Sequence, residues 1–258
     1  MTSDIADATQ ALPVSQLEAK PARGAGVGTL RVSLCLLTWN ELEGCKLDVP
    51  GLPLNQFDEV YALDGGSKDG TVEYLKSLGI VVHTQQRRGY NAAIIESFEH
   101  CKTDAVVLYH PKGSIDPREV LLCKQMLADG YDLAIGSRIM EGGHNEEDEK
   151  FLKPRKWFVE GLGLIGSVIW KRGSQKTAWD VLHGFRGMRR EQFFAIDPLP
   201  NGLSMDLEMV VRSYRKGFRV GEFPSVEKPR PHGTTHFKAW PTGKKLLKYM
   251  WFELRRKN

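Results

Sequence analysis

Apolar runs alternating with amphipathic segments predict an α/β fold with a mostly parallel central sheet and helices on both faces. Two observations carry this. Leu30 to Thr38 is almost continuously apolar, as suits a strand buried on both sides. Similar short runs return at Asp58–Leu63, Ile80–His83, Ala105–Tyr109 and Leu133–Ile135, with helical patterns between most of them. The first helix spans Asp69–Leu78, with Thr71, Tyr74, Leu75 and Leu78 on related faces, and the second is Tyr90–His100. The third is Pro117–Asp129, which Asp116 can cap with Pro117 in its first turn. Past a polar, acidic loop at Glu141–Lys150 come an apolar, Gly-containing helix at Phe151–Lys171 and a turn and strand within Trp179–Arg190. Ser204–Lys216 is an amphipathic helix stopped by Gly217, and Phe218–Phe223 is a final strand ending at Pro224.

A chain of 258 residues, 41% hydrophobic and 26% charged, can bury a core of its own. Its net charge of +4 is modest and its charges are interleaved, which argues against a nucleic-acid binder with a basic stripe. The four cysteines have no C-x-x-C spacing and read as buried thiols. No apolar run reaches transmembrane length and no signal pattern opens the chain, so a cytoplasmic location is expected. Residues 1–28, rich in Ala, Pro and Gly, read as a disordered leader, 29–239 as the globular domain and 240–258 as a basic, aromatic helix.

Chemistry gathers at Ala62 to Thr71. An acidic residue at a strand end (Asp64), two glycines (Gly65, Gly66) and a Ser-Lys-Asp helix entry suit a ligand approached by backbone. The same residues would serve a plain tight turn. This segment resembles the D-[DG]-G-S-x-D-G-T signature of family-2 glycosyltransferases. Other stretches resemble that family's motifs in order: Thr38-Trp39-Asn40-Glu41, Arg88-Gly89-Tyr90-Asn91-Ala92-Ala93, Gly136-Ser137-Arg138, Asp180 to Arg190, Asp206-Leu207-Glu208, Lys216 to Val220 and Glu222-Phe223-Pro224. The match covers roughly residues 30 to 240, and its subgroup resembles the dolichyl-phosphate mannosyltransferases. It implies a GT-A fold and an inverting transfer from a nucleotide-diphosphate sugar to a polyprenyl phosphate or saccharide. Thr38, Asn40, Glu41, Asp64, Gly66, Arg88, Gly89 and His110 would then bind the donor. Asp180 would lie near sugar and acceptor as the first candidate base. Arg138, Arg186 and Arg189 would bind phosphate, with Arg186 foremost. Glu208 and Glu222 could equally be structural, capping or pairing with arginines.

After its fourth strand the family places D-x-D, whose carboxylates hold Mg²⁺ or Mn²⁺ against the diphosphate. Here that strand runs into His110-Pro111-Lys112. An ammonium cannot ligate a cation. Three explanations stand: Lys112 itself neutralises the diphosphate, the protein binds without turnover, or Asp116, Asp64 and the glutamates of 141–149 build another metal site. A nucleotidyltransferase is disfavoured, because Thr38 to Glu43 is acidic where a basic triphosphate loop would lie. The tail carries six Lys or Arg among aromatics, with Leu247, Met250, Trp251 and Leu254 in one stripe. Such a helix can pack on the domain or touch the inner face of a membrane.

Overall fold

The period-two pattern of β1 (Val32–Thr38) sets the layout. Val32, Leu34 and Leu36 enter one apolar layer, Cys35 and Leu37 the other, and all are buried, because successive strand side chains face opposite sides of a sheet. The computed structural model describes residues 29–145, 148, 153–232 and 239–256. The leader read at 1–28 lies outside these, as do Glu146, Glu147 and Glu149 of the acidic loop.

Seven strands form one sheet: β1, β2 (Glu59–Asp64), β3 (Val81–Thr84), β4 (Ala105–Tyr109), β5 (Leu133–Ser137), β6 (Arg186–Arg189) and β7 (Val220–Pro224), in the order β3-β2-β1-β4-β6-β5-β7. Only β6 is antiparallel to its neighbours, β4 and β5. The carboxyl ends of the other six therefore share one edge, where ligands of such sheets bind.

One face is covered by α1 (Leu42–Asp48), α2 (Thr71–Ser77) and α4 (Val120–Ala128), through residues such as Cys45, Leu75 and Leu127. The other takes α3 (Tyr90–His100), α5 (Pro154–Trp170), α6 (Arg190–Ala195), α7 (Met205–Lys216) and α8 (Ala239–Arg255), through Phe98, Leu162, Phe193, Val211 and Leu246 among others. Full burial of each large apolar side chain contributes about 1.5–3 kcal/mol.

Several element boundaries differ from the sequence reading for local reasons. The stretch after Asp116 opens as a 3-10 turn, Pro117–Glu119, before α4; the cap itself forms, Asp116 Oδ1 accepting from the Arg118 amide at 2.9 Å. Helices α1 and α6, seven and six residues long, are too short for a periodic signal. Gly217 ends α7 at φ 75°. In α8 the buried stripe is Leu246, Tyr249, Met250 and Glu253, while Leu247, Trp251 and Leu254 face outward; the apolar spacing alone did not separate these two sets.

Candidate active site

The loops after β1, β2, β4, β5 and β7 and the loop before β6 converge on the carboxyl edge. The first two, after β1 and β2, build a shelf. Asp64 is buried, and its carboxylate organises this shelf by accepting from Thr38 Oγ1 (3.0 Å), Ser67 Oγ (2.5 Å) and the amides of Gly66 and Ser67 (both 2.8 Å). Its lone pairs are engaged within the protein, so in this structure it shapes the loop after β2. Thr38 is buried beneath it. Asn40, at φ 51°, accepts from the Lys68 amide at 2.8 Å and donates its own amide to Ser67 Oγ at 2.7 Å, stitching the two loops together. Glu41 pairs with Arg230 at 3.5 Å.

Gly65 lets the shelf close against Trp39: a Cβ there would sit 3.4 Å from the tryptophan side chain and 3.5 Å from Gln85 Oε1. The half-exposed Trp39, the exposed Gly66 and the exposed Arg88 beside Gly89 leave a ledge of one indole, backbone and one guanidinium. Arg88 has no hydrogen-bond or ion-pair partner among the described residues.

The loop after β4 carries His110, Pro111 and Lys112 and is held tightly. Buried Asp48 of α1 accepts from Tyr109 Oη (3.0 Å) and the Gly113 amide (2.9 Å). Gly44 of α1 has no side chain because the loop lies on it: a Cβ would be 2.2 Å from Pro111 O. From the far side the segment after β7 folds back, Lys228 donating its amide to Ser114 O at 2.7 Å. This segment carries Glu227 and Arg230 to Lys112. The Lys112 ammonium makes no hydrogen bond or ion pair with any described residue. Burial, reinforced by the Arg230 charge, pushes it down to about 8, against the raising influence of Glu227 and Glu41. His110 stacks at 6.4 Å on Tyr90, and burial and Lys112 hold its imidazole well below the usual range, hence neutral.

A recess opens here, lined by His110, Lys112, His183, Gly184 and Glu227. Behind it Arg138 forks onto buried Asp180 (Nε–Oδ2 2.7 Å, Nη2–Oδ1 2.9 Å) and reaches Glu227 with Nη1 at 2.7 Å. Asp180 also accepts the Arg138 amide at 3.0 Å. Burial raises its carboxyl, but the stronger combined pull of Arg138 holds it down at about 2. In this arrangement Asp180 is an ionised partner of Arg138, where the sequence reading expected an open carboxylate able to take a proton. Glu222 fixes the Asp180 loop by accepting the amides of Trp179 (3.0 Å) and Asp180 (2.7 Å), and Glu208 pairs with Arg212 at 2.7 Å, so both are structural.

The two remaining arginines, expected to bind phosphate, have guanidiniums that donate to backbone carbonyls of the protein itself. Arg186 is fully buried; its guanidinium donates to the carbonyls of His183, Val181 and Asp206 and lies 3.3 Å from the Asp206 carboxylate. Arg189 sits at the opposite edge, because β6 runs antiparallel: it pairs with Ala105 at the amino end of β4 and donates to Leu127 O and Tyr131 O.

The arrangement brings in residues to which the sequence reading assigned no role. Asp206, at the start of α7, receives the Tyr90 hydroxyl at 3.0 Å on both oxygens, and burial raises its carboxyl above the usual range. His183 is neutral, pushed down to about 4 by burial and Arg138, and its Nδ1–H donates to Gly136 O at 2.5 Å. Tyr90, His183 and Asp206 lay inside motif segments that were legible. Glu227 and Arg230 had no signal beyond a Pro-rich stretch. Among the described residues no three His, Cys, Asp or Glu side chains converge as a metal site would need. The donor set at the β4 loop, an imidazole and an ammonium, does not fit Mg²⁺ or Mn²⁺.

Comparison with known proteins places this geometry. The chain is 27% identical over 209 residues to glycosyltransferase AglJ of Haloferax volcanii, covering 78% of this chain and 65% of that protein. It is 24% identical over 231 residues to dolichol-phosphate mannosyltransferase of Pyrococcus furiosus, covering 86% and 62%. The chain thus spans less than two thirds of the length of these relatives. With polyprenol monophosphomannose synthase of Mycolicibacterium smegmatis it shares 27% over 224 residues, covering 80% and 81%. In fold it matches glucosyl-3-phosphoglycerate synthase from Mycobacterium tuberculosis, solved with uridine diphosphate, at a TM-score of 0.66 and 16% identity, over 96% of this chain and 86% of that one. That likeness establishes the GT-A architecture. The model of the family described as "Glycosyl transferase family 2" matches residues 52–194, from the loop before β2 to α6 and more than half of the chain. By that match the protein belongs to glycosyl transferase family 2.

Proposed function

We propose that this protein transfers a glycosyl group, with inversion, from a nucleoside-diphosphate sugar, and that Lys112 does the work of the metal that a D-x-D motif would hold. The acceptor is a polyprenyl phosphate or a saccharide. The observation that carries this reading is the Lys112 ammonium, unpaired among the described residues at the carboxyl end of β4. In this reading the nucleoside lies on the ledge of Trp39, Gly66 and Arg88. The acceptor oxygen attacks the anomeric carbon, the bond to the diphosphate oxygen breaks, and Lys112 neutralises the charge arriving on the leaving group. Neutral His110 can donate one further hydrogen bond.

A phosphate acceptor needs no base, since its second pKa is about 6. The names of the Pyrococcus and Mycolicibacterium relatives favour such an acceptor. A hydroxyl acceptor requires a base, and Asp206, with its raised carboxyl near His110 through Tyr90, suits this better than Asp180. Arg138 acts through its pairs with Asp180 and Glu227 as a positioning residue. Helix α8 offers a membrane contact at the inner face, consistent with a lipid acceptor. No helix among the described residues is long and apolar enough to cross a membrane.

The test is sugar transfer and donor hydrolysis with UDP- and GDP-sugars, with and without EDTA. Turnover insensitive to EDTA, lost in Lys112→Ala and partly kept in Lys112→Arg, is expected. A second reading, a nucleotide-sugar binder without turnover, draws on the missing carboxylates at the β4 loop. Nucleotide binding with no transfer from any donor would establish it instead.

A further inference from the structure

Helix α5 carries an apolar face that no part of the described protein covers. Trp157, Leu164, Ile165 and Val168 recur at helical spacing and are exposed, Val168 by 76%. From Gly161 to Ile169 no residue is charged. The opposite stripe, Leu162, Gly166 and Ser167, is buried, so the helix is already fully docked through its other side. A helix apolar all round belongs in an apolar environment on both sides, and a contiguous exposed patch of this kind marks an interaction surface.

Helix α8 extends the face. Gly166 and Ser167 of α5 meet Val211 and Tyr214 of α7, while Glu253 of α8 pairs with Arg212 and Arg215 on the adjacent side of the same helix. Gly243 of α8 lies directly against the Phe158 ring, where a Cβ would be 3.6 Å away. The two helices are thus side by side, and α8 adds outward Leu247, Trp251 and Leu254. Exposed cations border the apolar stripes: Lys171 and Arg172 follow α5, and Lys244, Lys245, Lys248 and Arg255 project from α8. The only carboxylates on the two helices are Glu160, half-buried, and Glu253, buried.

We infer that α5 and α8 together form a docking face for an anionic lipid bilayer, with α5 as the apolar anchor and the α8 lysines on the headgroups. A second copy of the chain fits poorly, because self-pairing would set these cations against each other. Apolar side chains entering the interfacial region beside cations are the physical signature of such binding. The face also borders the site. The absent side chain of Gly163 leaves room for the Ala178–Trp179 backbone, 2.7 Å from where a Cβ would be, and the next residue is Asp180, which holds Arg138. Docking would bring a lipid-borne phosphate to the recess; this purpose rests on the transferase reading, the surface itself does not.

The test is flotation of the full chain with vesicles of phosphatidylcholine, with and without phosphatidylglycerol. Expected is co-flotation with the anionic vesicles that weakens at high salt, reduced at least about tenfold in Val168→Glu, where a charge must enter the interface, and in the pair Lys245→Glu and Lys248→Glu. Each variant's melting curve checks that it is folded, and Val168→Ser serves if Val168→Glu is not. Failure of the wild-type chain to float with anionic vesicles, or equal flotation of wild type and folded variants, overturns the proposal. So does a concentration-dependent dimer that Val168→Glu dissolves, which would assign the face to a second copy. Transfer to a short-chain, water-soluble acceptor phosphate separates this from the function: vesicle binding without any transfer sinks the transferase reading alone.

Discussion

Lys112 faces opposed demands from stability and from the proposed chemistry. Its pKa of about 8 lies below the ordinary 10.5, so between these values the unfolded chain holds more protons. Its contribution to stability therefore rises as pH climbs from about 8 toward 10.5. Transfer needs the charged form and should fall as pH rises through about 8; a rate flat to pH 10 would exclude the ammonium from the reaction. Asp180 and Asp206 should also part company on mutation. Asp180→Asn removes the charge from a buried pair and is expected to cost about 3–5 kcal/mol, read by denaturant melting. Asp206→Asn should instead lower transfer to a hydroxyl acceptor by about 10²–10⁴-fold while sparing a phosphate acceptor. Equal losses with both acceptors would deny Asp206 the role of base.

Among the elements, α1 matters most for its size. It has seven residues, yet it supplies Asp48 to the β4 loop and, at Gly44, the flat spot on which Pro111 rests. Gly44→Ala would force the loop away from α1, at a cost of about 1–3 kcal/mol for overpacking. Because Lys112 moves with that loop, turnover should drop more than nucleotide binding; unchanged turnover at reduced stability would show that the loop adjusts. The antiparallel β6 has the opposite effect. It places Arg186 at the site edge and Arg189 at the far edge, although the two are three positions apart in the chain.

At the scale of the molecule, α8 is joined to the core by buried charge as well as apolar contact. Glu253 accepts from Arg212 at 2.6 Å and Arg215 at 2.9 Å. Glu253→Ala would take from Arg212 and Arg215 the buried carboxylate they share, leaving Arg212 with Glu208 alone and costing about 3–5 kcal/mol. For a chain of this length that corresponds to a fall in Tm of about 6–20 °C at about 2–4 °C per kcal/mol. A drop of only a degree or two in calorimetry would mean that the helix is held by its apolar stripe alone.

The sheet was readable in the chain because strands buried on both faces need continuous apolar runs, and most loops around the site carry a local motif, whereas the segment with Glu227 and Arg230 carries none. The sequence by itself determined the α/β class, the sheet edge at which the motif-bearing loops gather, and the presence of His110 and Lys112 after β4. Only the tertiary structure decided what those residues face. Arg138 meets Asp180 across 42 positions and Glu227 across 89, and Asp64 turns inward to its own loop. Such pairings depend on how layers stack and which strand reverses, and local spacing carries no record of either.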